Sequence, residues 1–541
     1  MEPLRQIRIH APAATEVSVF VRSRHALSED LSVAARREGE SWVVEVAAEV
    51  GDVYWIVVDG GPPLLDPSCL DMEVTADGPR SVVRDPWPRA AQGAPLAHPP
   101  VVYELHVRGF GRTFGGCIEH LDHVAAVGAN VIELMPVHPF DPANNYWGYM
   151  PLVWGAVHRP YAADPARAAE ELAELIAAAH DRGMHVWIDV VFNHTGEGDR
   201  SMPTYSLRGL DDANAYRHHD DGRYTDDSGC GNDIDPANAE VRRLVLEGLD
   251  RYADLGVDGF RFDLASLLTR DDGGLVREIT SWGKARGVAL IAEPWDLGSY
   301  QLGSPVWPPE WLQWNDRFRD DVRGFLRGEA GLVTAIRQRV QGSPDQFGTD
   351  GAARSVNFIT AHDGLTLHDL TIITSDRHRS WDTGPELRLQ KLKNYAALLL
   401  LSAGTPMWVM GDEFARTQDG HDNPYDIDGP LTWVDWSRTN TWTELTAWFR
   451  DLLALRRAHA PTDFRFYGVG PDVDESHESR SIAWCANGLY VMVNAWWEPL
   501  TFEVQEPGEW TARLASAAPM VHAERSFSLA PRSVAVLERT A

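Results

Sequence analysis

Lysine is almost missing from this chain. Only Lys284, Lys391 and Lys393 occur in 541 residues, a bias toward arginine that tracks genome composition more than mechanism. Positive charge is scarce as well: 49 Lys and Arg face 79 Asp and Glu, a net charge of −30. Such a surface repels phosphate backbones and anionic lipid, so nucleic acid is excluded as a partner. An uncharged substrate is favoured only weakly, because net charge also serves solubility and carries no information about fold. The four cysteines (Cys69, Cys117, Cys230, Cys485) are far apart and form no C-x-x-C pair, which excludes a disulfide scaffold or a zinc ribbon and leaves buried free thiols as the expectation. No run approaches the ~18 apolar residues of a membrane span, and the first ten residues lack the apolar core of a signal peptide, so a cytoplasmic protein is expected.

What is present is ordinary globular composition, 44% apolar and 24% charged, in a length that suggests roughly three domains. Residues 1–97 hold short alternating segments such as Val17–Val21 and Trp42–Val46 between Gly, Pro and Asp, the pattern of an antiparallel sandwich. A Pro-rich stretch from Gly93 to Pro100 follows. From Val101, apolar runs alternate with amphipathic segments such as Pro165–Arg182 and Ala239–Leu255, which argues for parallel βα units with strands buried on both faces. Seven strands are legible: Val101–Val107, Asn130–Val137, His185–Phe192, Gly259–Ala265, Val288–Trp295, Ser355–Asp363 and Pro406–Glu413. The eighth is expected in the polar stretch near Gln313–Arg323. The fold class is therefore α/β, a (β/α)8 barrel over residues 98–461, with the N-terminal β-sandwich over 1–97 and a C-terminal antiparallel β domain over 462–541.

The barrel strands end in polar groups. One run ends Asp189-Val190-Val191-Phe192-Asn193-His194, the next Arg261-Phe262-Asp263, the next Glu293-Pro294-Trp295-Asp296, and a later one His362-Asp363. Barrels place their active sites at the C-terminal ends of their strands. Three acids with one Arg and two His match the needs of attack on a neutral acetal, a general acid for the leaving oxygen and a carboxylate for the anomeric carbon.

The motifs DVVFNH, GFRFD, AEPW and TAHD, in this order, make the sequence resemble the α-amylase superfamily of retaining glycoside hydrolases (family 13). Further segments, YELHVRGF (103–110), NYWGY (145–149), GCGN (229–232) and GDEFARTQ (411–418), are similar to the isoamylase and glycogen-debranching branch. In that branch the N-terminal sandwich is a carbohydrate-binding-like module. The resemblance implies that Asp263 is the nucleophile, that Glu293 is the acid/base, and that their carboxyl groups lie ~5–5.5 Å apart. It implies that Asp363 is the third acid, binding sugar hydroxyls and keeping the pKa of Glu293 high, and that Arg261 keeps Asp263 ionised. His194 and His362 would donate to hydroxyls of the sugar being cleaved, and Asp189 with Asn193 would support the loop.

Flat rings cover the apolar face of a pyranose, so Tyr149 is the choice for stacking at the cleavage subsite, with Trp147 and Trp295 as neighbours and His138 and Tyr103 as weaker candidates. The expected substrate is an α-glucan, most directly α-1,6 branches of glycogen or limit dextrins. The loop after the TAHDG motif is cut to about Ser375–Gly384, which weighs against strict α-1,6 selectivity and leaves an α-1,4 hydrolase, a trehalose-releasing hydrolase or a glucanotransferase as alternatives. A non-catalytic glucan-binding protein is the alternative of another class. No cofactor is expected. Calcium has no motif to support it, since Asp226-Asp227 and Asn232-Asp233 lack the regular oxygen spacing of a loop-type site.

Overall fold

The computed structural model describes residues 3–24, 30–143, 145–523 and 525–540. The N-terminal strands are β1 (Leu4–His10), β2 (Val17–Arg22), β3 (Leu31–Ala34), β4 (Arg36–Glu38), β5 (Ser41–Ala47), β6 (Val53–Val58), β7 (Met72–Thr75) and β8 (Gly78–Val82). They form two antiparallel sheets, ordered β1-β5-β4 and β3-β2-β6-β8-β7. Alternation explains the layering: in β2 and β5 every second residue is buried, and Val17, Val19, Val21, Val44 and Val46 enter one core. That core continues onto Leu152, Val153, Ala156 and Leu210.

Eight strands close a barrel: β9 (Val102–Leu105), β10 (Val131–Leu134), β11 (His185–Val190), β12 (Gly259–Phe262), β13 (Ala289–Ala292), β14 (Trp311–Asn315), β15 (Ser355–Phe358) and β16 (Thr405–Val409). Nearly all their residues are buried, as strands covered on both faces require. The hydrogen-bonded strands are shorter than the apolar runs suggest, so Asp263, Glu293, His362 and Asp363 lie beyond them while Asp189 and Arg261 lie within β11 and β12. The eighth strand is the correction. It begins at Trp311 and ends at Asn315, and Asp316–Arg327 is a helix. Its Asn315 donates to the hydroxyls of Ser343 and Ser355, both at 2.9 Å, and caps the helix by accepting from the Phe318 N–H at 3.0 Å.

The C-terminal strands are β17 (Arg465–Tyr467), β18 (Ser481–Ala486), β19 (Leu489–Asn494), β20 (Leu500–Glu503), β21 (Trp510–Ala515), β22 (Met520–Ala523), β23 (Ser526–Leu529) and β24 (Ser533–Arg539), in antiparallel sheets β17-β18-β19-β24-β21 and β20-β23-β22. The chain divides into two compact units. The first comprises Met1–Pro95, His106–His120 and Glu133–Trp311, and the second Leu96–Leu105, Leu121–Ile132 and Leu312–Ala541. No described helix is long and apolar enough to cross a membrane.

Candidate active site

In the first unit, parallel pairing sets Asp189 of β11 beside Arg261 of β12, and Arg261 beside Ile291 of β13. Gly259 permits this approach, because a Cβ there would come within 2.5 Å of the Trp187 ring. The ladder runs one residue past the strands. Asp263 N–H donates to the Val190 carbonyl at 3.0 Å and Glu293 N–H to the Phe262 carbonyl at 3.1 Å, so both acids leave the barrel at the same level.

Arg261 is the hub. Its Nη1 donates to both Asp189 oxygens at 2.8 Å and to Asp263 Oδ1 at 3.2 Å, while Nη2 pairs with Glu293 Oε2 at 2.9 Å. Burial opposes the charge on this guanidinium, but Asp189, Glu293, Tyr149 and Asp263 outweigh it and hold the arginine firmly cationic. Asp263 and Glu293 are themselves almost enclosed, at 8% and 9% exposure. Leu264 follows the aspartate in a left-handed conformation (φ 37°), a strain of about 1–2 kcal/mol, and its N–H donates to Glu293 Oε2 at 2.8 Å.

Asn193 was expected only to support the loop. It donates through Nδ2 to Asp263 itself, to Oδ2 at 2.9 Å and to the backbone carbonyl at 2.6 Å. Asp189, buried beneath Arg261, also accepts from the Tyr149 hydroxyl. His194, expected to donate to a sugar hydroxyl, meets two protein acceptors. Nε2 meets the Tyr149 carbonyl at 2.6 Å and Nδ1 meets Asn193 Oδ1. Two acceptors on one ring require two ring protons. Burial lowers the pKa of His194, but Cys230, Asp263 and the Tyr149 carbonyl outweigh it and raise the value to about 9. His194 thus fixes the Tyr149 backbone. Tyr149 and Trp147 are half-buried and meet edge to face at 6.4 Å.

After Glu293 the chain turns back on itself. Trp295 stacks near Tyr300 (6.5 Å, 14°), and the enclosed Asp296 carboxylate ties the turn by accepting from the Gly298 and Ser299 N–H groups at 2.7 Å and pairing with Arg270 at 2.9 Å. Leu297 at 77% and Tyr300 at 47% exposure lie in this turn. Cys230 is half-buried rather than buried, whereas Cys69, Cys117 and Cys485 are buried and all four are free thiols. His138 is an enclosed histidine beside the Tyr252 hydroxyl (3.0 Å), and burial lowers its pKa to about 3.

In the second unit, Asp363 is exposed and His362 is half-buried beyond β15. Glu104 of β9, at 1% exposure, accepts from His362 Nδ1 at 2.8 Å and so fixes the proton on that nitrogen. Asp412 brackets the same segment, accepting from the Thr360 hydroxyl on one side and from the Leu367 N–H at 3.0 Å on the other. Burial raises the Asp412 carboxyl to about 7 against those donors and Arg416. The Gly364 N–H donates to the Asp422 carbonyl at 2.8 Å, and His378 of the short 375–384 loop pairs with the Asp422 carboxylate at 2.8 Å. Neither Glu104 nor Asp412 was singled out from the sequence. Tyr103 is fully buried and donates to Glu413 at 3.1 Å. Among the described residues no group of three or more His, Cys, Asp or Glu side chains could hold a metal ion.

Comparison with known proteins agrees with this architecture. Residues 105–217 match the family model of the α-amylase catalytic domain. The chain is 34% identical over 497 residues to the glycogen operon protein GlgX homolog of Mycobacterium tuberculosis, covering 80% of this chain and 68% of that protein. It is 33% identical to the glycogen debranching enzyme of Klebsiella pneumoniae (78% and 71%) and 32% identical to the isoamylase of Flavobacterium sp. (75% and 66%). The fold superposes on the pullulanase of Paenibacillus barengoltzii with maltohexaose and α-cyclodextrin (TM-score 0.84, 23% identity, 100% of this chain and 95% of that one) and on that of Bacillus acidopullulyticus (0.82, 22%, 100% and 74%). The chain belongs to the isoamylase-like branch of the family 13 α-amylase glycoside hydrolases.

Proposed function

We propose that the protein is a retaining α-glucan hydrolase that debranches α-1,6 linkages of glycogen or its limit dextrins, with Asp263 as nucleophile and Glu293 as acid/base. The observation that carries the reading is the single guanidinium of Arg261 in contact with both carboxylates, at 3.2 and 2.9 Å. Glu293 Oε2 is held by two N–H groups, those of Arg261 at 2.9 Å and Leu264 at 2.8 Å, which fix the carboxyl group beside Asp263. Asp263 attacks the anomeric carbon as the glycosidic C–O bond breaks, and Glu293 gives its proton to the departing oxygen. In the second step the Glu293 carboxylate takes a proton from water, which attacks the same carbon and releases Asp263. Asp363 acts as the third acid, an assignment resting on the TAHD motif. His362 binds the sugar, with Glu104 holding its ring.

Relatives named for glycogen debranching and isoamylase activity support the α-1,6 linkage. The test is incubation with pullulan, limit dextrin and linear maltooligosaccharides, with the anomer of the first product read by NMR. Cleavage of branched substrates to the α-anomer is expected, and release only from linear α-1,4 chains overturns the debranching assignment. The short loop 375–384 weighs against strict α-1,6 selectivity, and an α-1,4 hydrolase, a trehalose-releasing hydrolase or a glucanotransferase using the same acids is the second reading; product analysis under excess acceptor separates transfer from hydrolysis.

A further inference from the structure

In the second unit, away from the catalytic strand ends, the turn between β19 and β20 carries two adjacent tryptophans, Trp496 and Trp497. Their rings stack at 3.7 Å and 22°. All 21 tryptophans lie among the described residues, and only Trp497 is exposed, at 50%. The turn that presents it is fixed at both ends. Asn494, 1% exposed, spans it: Oδ1 accepts from the Trp496 N–H at 2.9 Å, while Nδ2 donates to the Glu498 carbonyl at 2.9 Å and the Ala530 carbonyl at 3.0 Å. The Arg532 N–H donates to the Trp496 carbonyl at 2.9 Å. The exposed ring is therefore held in one orientation before any ligand arrives, which lowers the ordering cost of binding.

Arg480 stands beside the stack. Its guanidinium carbon lies 5.3 Å from the Trp496 ring centre and 5.6 Å from that of Trp497. Being nearly equidistant from two rings 3.7 Å apart, the cation sits at the side of the stack and leaves the outer face of Trp497 open. The Arg480 side chain is 8% exposed. Nε donates to the Gly328 carbonyl at 2.7 Å and Nη1 to the Glu478 carbonyl, and Nη2 has no hydrogen-bond partner among the described residues. The Glu478 carboxylate, 77% exposed, lies 3.6 Å from Nη1, and Glu498 is exposed next to Trp497. A flat indole face with a guanidinium and carboxylates at its rim matches a pyranose, whose C–H face covers the ring while the rim takes its hydroxyls. The acidic rim, in a chain of net charge −30, repels phosphate and anionic lipid. One exposed ring also falls far short of the ~800 Å² per partner that a stable protein interface buries.

We propose that Trp497, with Arg480 and Glu478 at its rim, is a second carbohydrate site that holds a segment of α-glucan chain without acting on it. The class of ligand rests on the α-glucan reading of the catalytic acids. The test pairs affinity electrophoresis of the full chain, in gels containing glycogen or hydroxyethyl cellulose, with kinetics on glycogen and on a short branched maltooligosaccharide. Retardation by glycogen and not by hydroxyethyl cellulose is expected. Trp497→Ala weakens that retardation about tenfold, the loss of one ring–sugar contact. It raises KM on glycogen several-fold, while kcat on glycogen and kcat/KM on the short substrate stay as in the wild type. Trp497→Tyr keeps a flat ring and most of the binding. Glu478→Ala, at a fully solvated side chain, weakens retardation about threefold and keeps the test decisive if Trp497→Ala folds poorly. Glycogen retardation and KM unchanged in both Trp497→Ala and Glu478→Ala overturn the site, and retardation by hydroxyethyl cellulose in place of glycogen overturns its α-glucan ligand. A protein that binds glycogen through Trp497 yet cleaves only linear α-1,4 chains keeps this site and loses the debranching assignment alone.

Discussion

Around β11–β13 three carboxylates, Asp189, Asp263 and Glu293, share one enclosed guanidinium. Around β9 and β15 the acid expected to contribute, Asp363, is exposed, and its segment is held by separate partners rather than one hub: Asp412 accepts from a hydroxyl and an N–H, Glu104 accepts from an imidazole, and Arg323 donates to the Ile359 carbonyl at 2.9 Å. The first arrangement gathers three buried acids around one buried guanidinium. The second leaves a buried carboxyl that titrates near neutrality, so the two regions respond differently to acid, base and substitution.

The largest effect that sharpens this contrast is chemical. Glu293→Gln and Asp263→Asn each lower turnover of limit dextrin by about 10⁴-fold or more while folding normally, and near-wild-type turnover by either removes the assigned mechanism. Next comes the hub. Arg261→Met strands three carboxylates and lowers stability by about 3–5 kcal/mol, read as a fall in the thermal midpoint, whereas Asp189→Asn is milder because two acids still balance the cation. Glu104→Gln removes one charged hydrogen bond of about 1.5–3 kcal/mol and lowers kcat/KM roughly 10- to 100-fold, with the thermal midpoint moving far less than for Arg261→Met.

The two titrations are smaller and opposite in origin. Asp412 binds its proton more tightly folded (about 7) than unfolded (3.8), so its contribution is greatest below pH 3.8 and declines as pH rises to about 7. The difference in unfolding free energy between wild type and Asp412→Asn therefore slopes downward across that window. His194 also holds its proton more tightly folded (about 9) than unfolded (6.5), so its stabilisation is complete below pH 6.5 and is lost as pH rises through 9. Its ring resonances report this directly by NMR, and Cys230→Ser shifts the midpoint downward.

The acids were legible because they end apolar runs, and such runs mark strands whatever surrounds them. Asp263 and Glu293 follow β12 and β13 directly. The eighth strand was blurred because Asn315 meets partners 28 and 40 positions along the chain, and a polar residue satisfied inside a barrel looks from sequence like one exposed to water. His194 carried the correct residue type but an unforeseen task, since the Tyr149 carbonyl and Asn193 that occupy its nitrogens are set by loop geometry. Glu104 lay within a quoted motif, YELHVRGF, with nothing to point at His362.

By itself the sequence determined the barrel, the β-rich ends and which carboxylates stand at strand termini, because hydrophobic period and strand length are local properties. The tertiary structure alone decided which acids share Arg261, which histidine is spent on the scaffold, and which of the 21 tryptophans is left open to water. Those outcomes rest on contacts such as Asp189 with Arg261, 72 positions apart, and Tyr149 with His194, 45 apart, and only chain closure establishes them.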